Sequence, residues 1–331
     1  MIIMKAAIFD KFGSAQEVLK IQNIEDPKIN DNEVIVKLSK SGVNPSDVKK
    51  RAGAFPNLLD NGFVVPHSDG AGIIIDVGNE VSRDRMGERV WVYQAQYERN
   101  YGTAAELLSI DSSRAIKLPD NASLETGACL GIPAMTAHRC IFADGSVEGK
   151  NILVTGGAGR VGFYAIQWGK LFGARVITTA SNDDDKQACL GVGADGVVNH
   201  REDDWELSAL DANHGKKFDR LVDVEFGANL EHTLNIMKTG STIATYSSTQ
   251  NPNPKIPFLK MMYMDLTLRL VIVYAMPEKA KNDAIKDINN KLSSNDLSHR
   301  VAKSYDLGDI AKGHELIESN SIRGCVLINI D

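Results

Sequence analysis

Gly157, Gly159 and Gly162 stand at G-x-G-x-x-G spacing, and Gly156 adds a second frame, G-x-x-G-x-x-G. Between a strand and a helix, glycines so spaced let the backbone turn tightly, approach a ligand and present amide N–H groups to phosphate oxygens. The flanks supply that setting. Asn151 to Thr155 is a short, apolar, β-rich run without charge, as in a strand covered on both faces. Val161, Ala165, Ile166, Trp168, Leu171 and Phe172 recur at helical spacing, and Gly173 ends the helix. Arg175 to Thr179 reads as a second strand, and the unit takes the roughly 30 residues of a right-handed crossover. The expected roles are a tight turn at Gly157, close approach to a pyrophosphate at Gly159 and helix packing at Gly162. Gly156, Arg160 and Val161 complete the candidate cofactor-binding turn.

A carboxylate at the end of the second strand would hold the adenosine ribose of NAD. Here that position is Ala180, followed by Ser181 and Asn182. Without the carboxylate a 2′-phosphate is not repelled, and small hydroxyl and amide side chains can bond it, which favours NADPH over NADH. Asp183, Asp184 and Asp185 read as the acidic first turn of a helix. Arg160, Lys186, His200 and Arg201 are the cations that folding can bring to the phosphate.

The elements that must position this unit follow from the rest of the chain. With 331 residues there is room for two domains, and 43% hydrophobic against 24% charged residues places the chain in the soluble globular class. A net charge of −6 lacks the basic footprint of a dedicated nucleic-acid binder. The first residues, MIIMKAAIFD, have no apolar core of leader length, and no run reaches membrane-spanning length. A cytoplasmic protein is expected. Cys129, Cys140, Cys189 and Cys325 form no C-x2-4-C pair, so neither a zinc knuckle nor a disulfide framework is indicated.

Residues 1–124 are strand-rich, with runs at Lys5 to Phe9, Glu33 to Ser39, Ala71 to Val77 and Arg89 to Tyr93. Leu124 to Phe142 reads as one crossing helix. Beyond the glycine unit the βα rhythm continues with Gly196 to Asn199, Asp219 to Val224, Ser241 to Tyr246 and a β-branched run from Leu266 to Tyr274. The tail offers a helix from Glu278, a short strand near Ser304 and a last strand at Cys325 to Ile330. The expected fold is α/β, with a Rossmann doubly wound parallel sheet behind a β domain.

Several short motifs fall in one order: SGVNPSD (Ser41 to Asp47), PHSDGAG (Pro66 to Gly72), GTAAE (Gly102 to Glu106), GIPAMTAH (Gly131 to His138), TGGAGRVG, NHRED (Asn199 to Asp203) and RGCVLI. Over essentially the whole chain this resembles the zinc-free, zeta-crystallin-like quinone oxidoreductase branch of the medium-chain dehydrogenase/reductase superfamily. The resemblance implies a GroES-like β-barrel domain from both chain ends (1–124 and 275–331) and a nicotinamide-binding domain at 125–274. It also implies an active site at their junction and a homodimer.

Zinc-dependent relatives place a cysteine ligand in the first motif and a G-H-E in the second; here the corresponding residues are Asn44 and Ser68, with His67 one place off. Without a Lewis acid the alkoxide of a simple alcohol is hard to stabilise. A quinone or a carbonyl-conjugated alkene spreads its own developing charge, so either is the expected substrate, reduced by hydride from NADPH without a metal. Asn44 is the candidate to orient the acceptor or the nicotinamide, its amide donating to the developing oxyanion. The resemblance implies that Thr136 lies beside the nicotinamide and that His200 replaces a tyrosine near the 2′-phosphate. It implies cofactor contacts at Tyr246 and Ser247. Lys49 and Phe55 replace two aromatic hydroxyls near the quinone, and Tyr93, Tyr97 and Tyr101 are further candidates to line the substrate cleft.

Rival classes are separable. None of the eight tyrosines has a lysine four residues on, against a short-chain dehydrogenase. Ala180 stands where a methyltransferase expects an acid. Two alternatives share every residue named: an enone or enal reductase, and a non-catalytic NADPH-binding structural, sensor or RNA-associated protein. Consumption of NADPH, as against binding alone, separates the last from the others.

Overall fold

Gly196–Asn199, Arg175–Ala180, Asn151–Val154, Phe218–Asp223, Met237–Thr245 and Thr267–Leu270 lie side by side in that order, every pair parallel. The structure, a computed structural model, describes residues 3–330 and divides into two units. This sheet belongs to the second unit. Ile152, Leu153, Val176, Ile177, Leu221 and Ile243 are wholly buried, which explains why these strands read as continuous apolar runs. From Asn151–Val154 the chain steps outward twice, then crosses back to Phe218–Asp223 on the other side. The order therefore reverses between those two strands, the switch point at which ligands of doubly wound sheets bind.

Both chain ends build the first unit. Its seven-stranded sheet runs Val301–Asp306, Cys325–Asn329, Glu33–Val43, Asp69–Val77, Arg89–Val92 and Ala115–Lys117, with Leu107–Asp111 also paired to Glu33–Val43. Ile3–Ile8 and Lys20–Glu25 form a separate antiparallel pair. Val34, Val36, Leu38, Ile74, Val90, Leu108, Val326 and Ile328 share one core.

The structure differs from the sequence reading in four places. The chain enters the second unit at Pro133 rather than 125, and Ile285 rather than 275 marks its return to the first. The single helix over Leu124 to Phe142 is broken into Leu124–Gly127, a wide π-type turn at Leu130–Ala134 and Met135–Phe142. Pro133 has no N–H to continue an α-helical ladder, and Gly131 packs where no side chain fits. The run from Leu266 to Tyr274 is strand only over Thr267–Leu270. Val271 N donates to Thr245 O at 2.8 Å, and there the partner strand stops, so Val273–Ala275 coils into a 3-10 turn. Finally, the helices Pro45–Arg51 and Ile310–Glu318 have no counterpart in the sequence reading, and the second carries His314.

Candidate functional site

At the switch point the glycines divide their work differently from the expectation. Gly156, not Gly157, has the left-handed φ of +65° that makes the turn. A Cβ on Gly157 would lie 2.0 Å from Thr178 Oγ1 and 2.9 Å from Ile166 Cδ1, so that residue is small in order to sit on the neighbouring strand and helix. A Cβ on Gly162 would meet Gly156 O at 2.3 Å, the close packing expected of it. Gly159 is different. It is the N-cap of the helix Arg160–Leu171, and its Cβ would approach only Gly156 O, at 3.1 Å, within 4 Å. The protein itself leaves that face open, and the first N–H groups of the helix have no intrahelical acceptor. This cradle suits a pyrophosphate.

The turn is braced from behind. Gly156 N donates to Thr179 Oγ1 at 2.9 Å, Gly157 N to Thr179 O at 3.0 Å, and Thr178 Oγ1 to Val154 O at 2.7 Å. Across the switch point Asp223, buried at the end of its strand, accepts from Thr155 Oγ1 (2.6 Å), Asn229 Nδ2 (2.8 Å) and Glu225 N (3.2 Å). Burial raises its carboxyl above the ordinary range despite those donors. Sequence reading missed Asp223. Its only local sign is one acid closing an apolar strand.

Two cavities flank this edge. One, of about 570 Å³, is lined by Ala180, Ser181, Asn182, Lys186, Asn199 and Glu202 among others. The other, of about 260 Å³, is lined by Phe226, Thr245, Ser247, Ser248 and Leu270 to Ile272. Of the residues expected at the adenosine end, Ser181 and Lys186 line the larger cavity, whereas the amide of Asn182 is engaged in its own helix. Asn182 Oδ1 accepts from Asp185 N at 2.8 Å and Nδ2 donates to Asp185 Oδ2 at 2.9 Å. His200 is exposed just beyond the cavity-lining Asn199. Tyr246 is half-buried beside Ser247, and burial pushes its hydroxyl well above its ordinary value. Thr136 is buried in Met135–Phe142.

Of the candidate residues of the first unit, Asn44 and Tyr93 lie around Asp69, the first residue of its strand. Asn44 is buried ahead of the helix Pro45–Arg51; its backbone N donates to Asp47 Oδ2 at 2.8 Å and its side-chain Nδ2 to Asp69 Oδ2 at 2.8 Å. Ile132 N donates to the same Oδ2 at 2.8 Å, while Asp69 Oδ1 is buried without a hydrogen-bond partner. Burial moves this carboxyl up to about 8, the nearby Asp47 adding to the rise.

Alongside runs a hydrogen-bond file whose direction follows from its last member. Thr103 Oγ1 must donate to the carbonyl of Asp69 (2.6 Å), so Ser41 Oγ donates to Thr103 (2.7 Å). His67 Nδ1–H then donates to Ser41 Oγ (2.8 Å), and His314 Nε2–H to His67 Nε2 (2.9 Å). His314 Nδ1 is left as a buried lone pair without a partner. Burial lowers His67 to about 3 and holds His314 well below its ordinary value, so both rings are neutral.

The expected substrate-lining residues scatter. Lys49 is exposed, and the buried lysine is its neighbour Lys50, whose Nζ donates to Gln96 O (2.9 Å) and Oε1 (2.7 Å). Phe55 is 53% and Tyr101 41% exposed, the latter edge-on to Phe63. Tyr93 is buried against Trp91, and its Cβ lies 3.2 Å from where a Gly131 Cβ would be. Only Tyr93 thus joins the Asp69 cluster.

A catalytic zinc would need donors that this cluster does not provide. Asn44 replaces the thiolate, and both nitrogens of His67 are engaged with Ser41 and His314. Among the described residues no three His, Cys, Asp or Glu side chains are grouped to hold a metal.

Comparison with known proteins gives two family matches, an alcohol dehydrogenase GroES-like domain over residues 30–120 and a zinc-binding dehydrogenase domain over 161–290. A quinone oxidoreductase of Mus musculus is 32% identical over 73% of this chain and 72% of its own. A 2-methylene-furan-3-one reductase of Solanum lycopersicum is 28% identical over 75% of this chain and 63% of its own. Among solved structures, a mycobacterial protein complexed with NADPH superposes with a TM-score of 0.86 at 24% identity, covering 98% of this chain and 100% of the other.

Proposed function

The chain belongs to the quinone oxidoreductase branch of the medium-chain dehydrogenase/reductase superfamily, and from that premise we propose that it is an NADPH:quinone oxidoreductase working without a metal. One observation carries the reading: at the switch point two glycines are packed against the protein and the third, Gly159, is open at a helix N-terminus. Gly159 and the first turn of its helix hold the pyrophosphate, while Ser181 and Lys186 take the 2′-phosphate in the cavity where Ala180 supplies no carboxylate at the strand end, with Asp183 and Glu202 as its acidic lining. When bound, the nicotinamide supplies a hydride. With the hydride the acceptor gains two electrons and one hydrogen, its oxygen becomes negative, and one proton from water completes the quinol. Asn44 steadies that oxygen with its second amide hydrogen, the first being held by Asp69. Reduction of a conjugated carbon–carbon double bond needs the same elements, and the Solanum lycopersicum relative supports it as the second reading.

We also propose a homodimer. Thr267–Leu270 is an edge strand, and Ile256, Phe258, Leu259, Met262, Tyr263, Leu270 and Ile272 are all about half exposed or more. Covered by a second copy, these side chains would supply roughly the 800 Å² per partner of a standard interface. A cytoplasmic location is part of the same proposal, in keeping with four buried cysteines that form no disulfide.

The test is loss of nicotinamide absorbance with NADPH and NADH in parallel, against ortho- and para-quinones and conjugated enones, with and without chelator. Chelator-insensitive turnover with NADPH preferred is expected. Binding with no acceptor reduced would leave a sensor or structural protein, and sedimentation of the same sample reads the dimer.

A further inference from the structure

We propose that Asp69 is a positioning residue for the reduction: it clamps the Asn44 amide and stays the uncharged acid while the acceptor gains negative charge. The inference rests on the reading of Asn44 given above. Asp69 is wholly buried, and its two oxygens are treated unequally. Oδ2 takes both donors, Asn44 Nδ2 and Ile132 N, each at 2.8 Å. Oδ1 takes none and lies against Gly131, where even a Cβ would come within 2.1 Å. An ionised carboxylate spreads its charge over both oxygens and needs donors on both. Here half the anion would be left desolvated. The acid carries the smaller conflict: its carbonyl oxygen keeps both N–H bonds, and the hydroxyl left on the side without partners is a neutral group, which costs far less to bury unpaired than half a charge.

The charged groups that face it do not reverse this. From Pro45–Arg51 the Asp47 carboxylate opposes ionisation and Lys50, already spent on Gln96, favours it; from the segment before Gly131 the buried Cys129 thiol is pushed well above its ordinary value. Tyr93, packed on Gly131, and His67, linked to the Asp69 carbonyl through Ser41 and Thr103, are further titratable neighbours, the imidazole being neutral. Burial accordingly carries the Asp69 carboxyl up to about 8.

Two consequences follow for Asn44. Its amide cannot flip, because Asp69 Oδ2 accepts only from Nδ2, so the second N–H has one direction. The electrostatic consequence is larger. Ionising Asp69 puts a negative charge one amide away from the oxygen whose charge Asn44 must stabilise, in surroundings of low dielectric.

The experiment compares pH profiles of kcat and kcat/KM, with NADPH and 1,4-naphthoquinone, for the native chain and Asp69→Asn, Asp69→Ala and Asn44→Ala, with NADPH affinity read by fluorescence. For one proton leaving near pH 8, native kcat is expected to fall about tenfold between pH 7 and pH 9. Asp69→Asn keeps the accepting oxygen and cannot ionise, so its profile should be flat over that range. Asp69→Ala should lose at least tenfold in kcat at pH 7 with NADPH affinity unchanged, and Asp69→Asn should restore it. An alkaline fall persisting in Asp69→Asn, or full kcat in Asp69→Ala, overturns the proposal while the functional reading stands. If native protein binds NADPH and consumes none, or Asn44→Ala keeps full kcat, the parent reading fails and takes the proposal with it.

Discussion

The glycine turn and the Asp69 cluster solve opposite problems. The turn makes a site from backbone: side chains are excluded at Gly157 and Gly162 so that amide N–H groups can reach a ligand at Gly159. The cluster makes a site from buried side chains, Asn44, Asp69, Ser41, Thr103, His67 and His314, each neutral and nearly all paired. Geometry protects the first from its own side chains; hydrogen bonding protects the second from the cost of burial, about 1–3 kcal/mol for each polar group left unpaired. The difference teaches where each site is fragile: volume breaks the turn, and charge breaks the cluster.

Substitutions within the turn sharpen that contrast first. Gly162→Val places atoms inside backbone contacts already at 2.3 Å for a Cβ, and a loss of about 3 kcal/mol in urea unfolding is expected. Gly159→Val, three residues earlier, should leave unfolding within about 1 kcal/mol of native, yet weaken NADPH at least 100-fold, about 2.7 kcal/mol. Equal destabilisation by both would show that Gly159 is packed like its neighbours. Ala180→Asp, lining the larger cavity, should move the ratio of NADPH to NADH affinity about tenfold toward NADH; an unmoved ratio would place the 2′-phosphate elsewhere.

The cluster should break through protons. His67 and His314 are held neutral when folded, with His67 lowered to about 3, and take protons from about pH 6.5 downward when unfolded. Their depressed values therefore contribute stability that is whole above pH 6.5 and drains as pH falls toward 3, at most about 1.4 kcal/mol per pH unit for each ring. Asp69 has the opposite sign: its raised value stabilises at low pH and loses that contribution as pH rises from its unfolded range through about 8. His67→Asn keeps a donor for Ser41 and tolerates the left-handed φ of +78°, so it should unfold with a shallower acid slope than native. An unchanged slope between pH 6.5 and 5 would mean that His67 is already protonated in the fold.

The sequence alone determined what is local and periodic. The βα rhythm, the glycine unit between Asn151 and Ala180 and the empty carboxylate position at Ala180 are read from neighbours within a few residues of one another, whereas Asn44 in place of a thiolate is what the family resemblance implies. Tertiary structure decided the rest. Which glycine takes the positive φ depends on the strand behind it, where Thr178 and Thr179 hold Gly157 and Gly156. That Lys50 rather than Lys49 is buried depends on what lies against Pro45–Arg51. His67 and His314 meet across 247 residues of chain, and Asp69 reaches Ile132 across 63. A carboxyl or imidazole changes its proton affinity only through what surrounds it, and those surroundings are assembled from segments that no sequence window holds together.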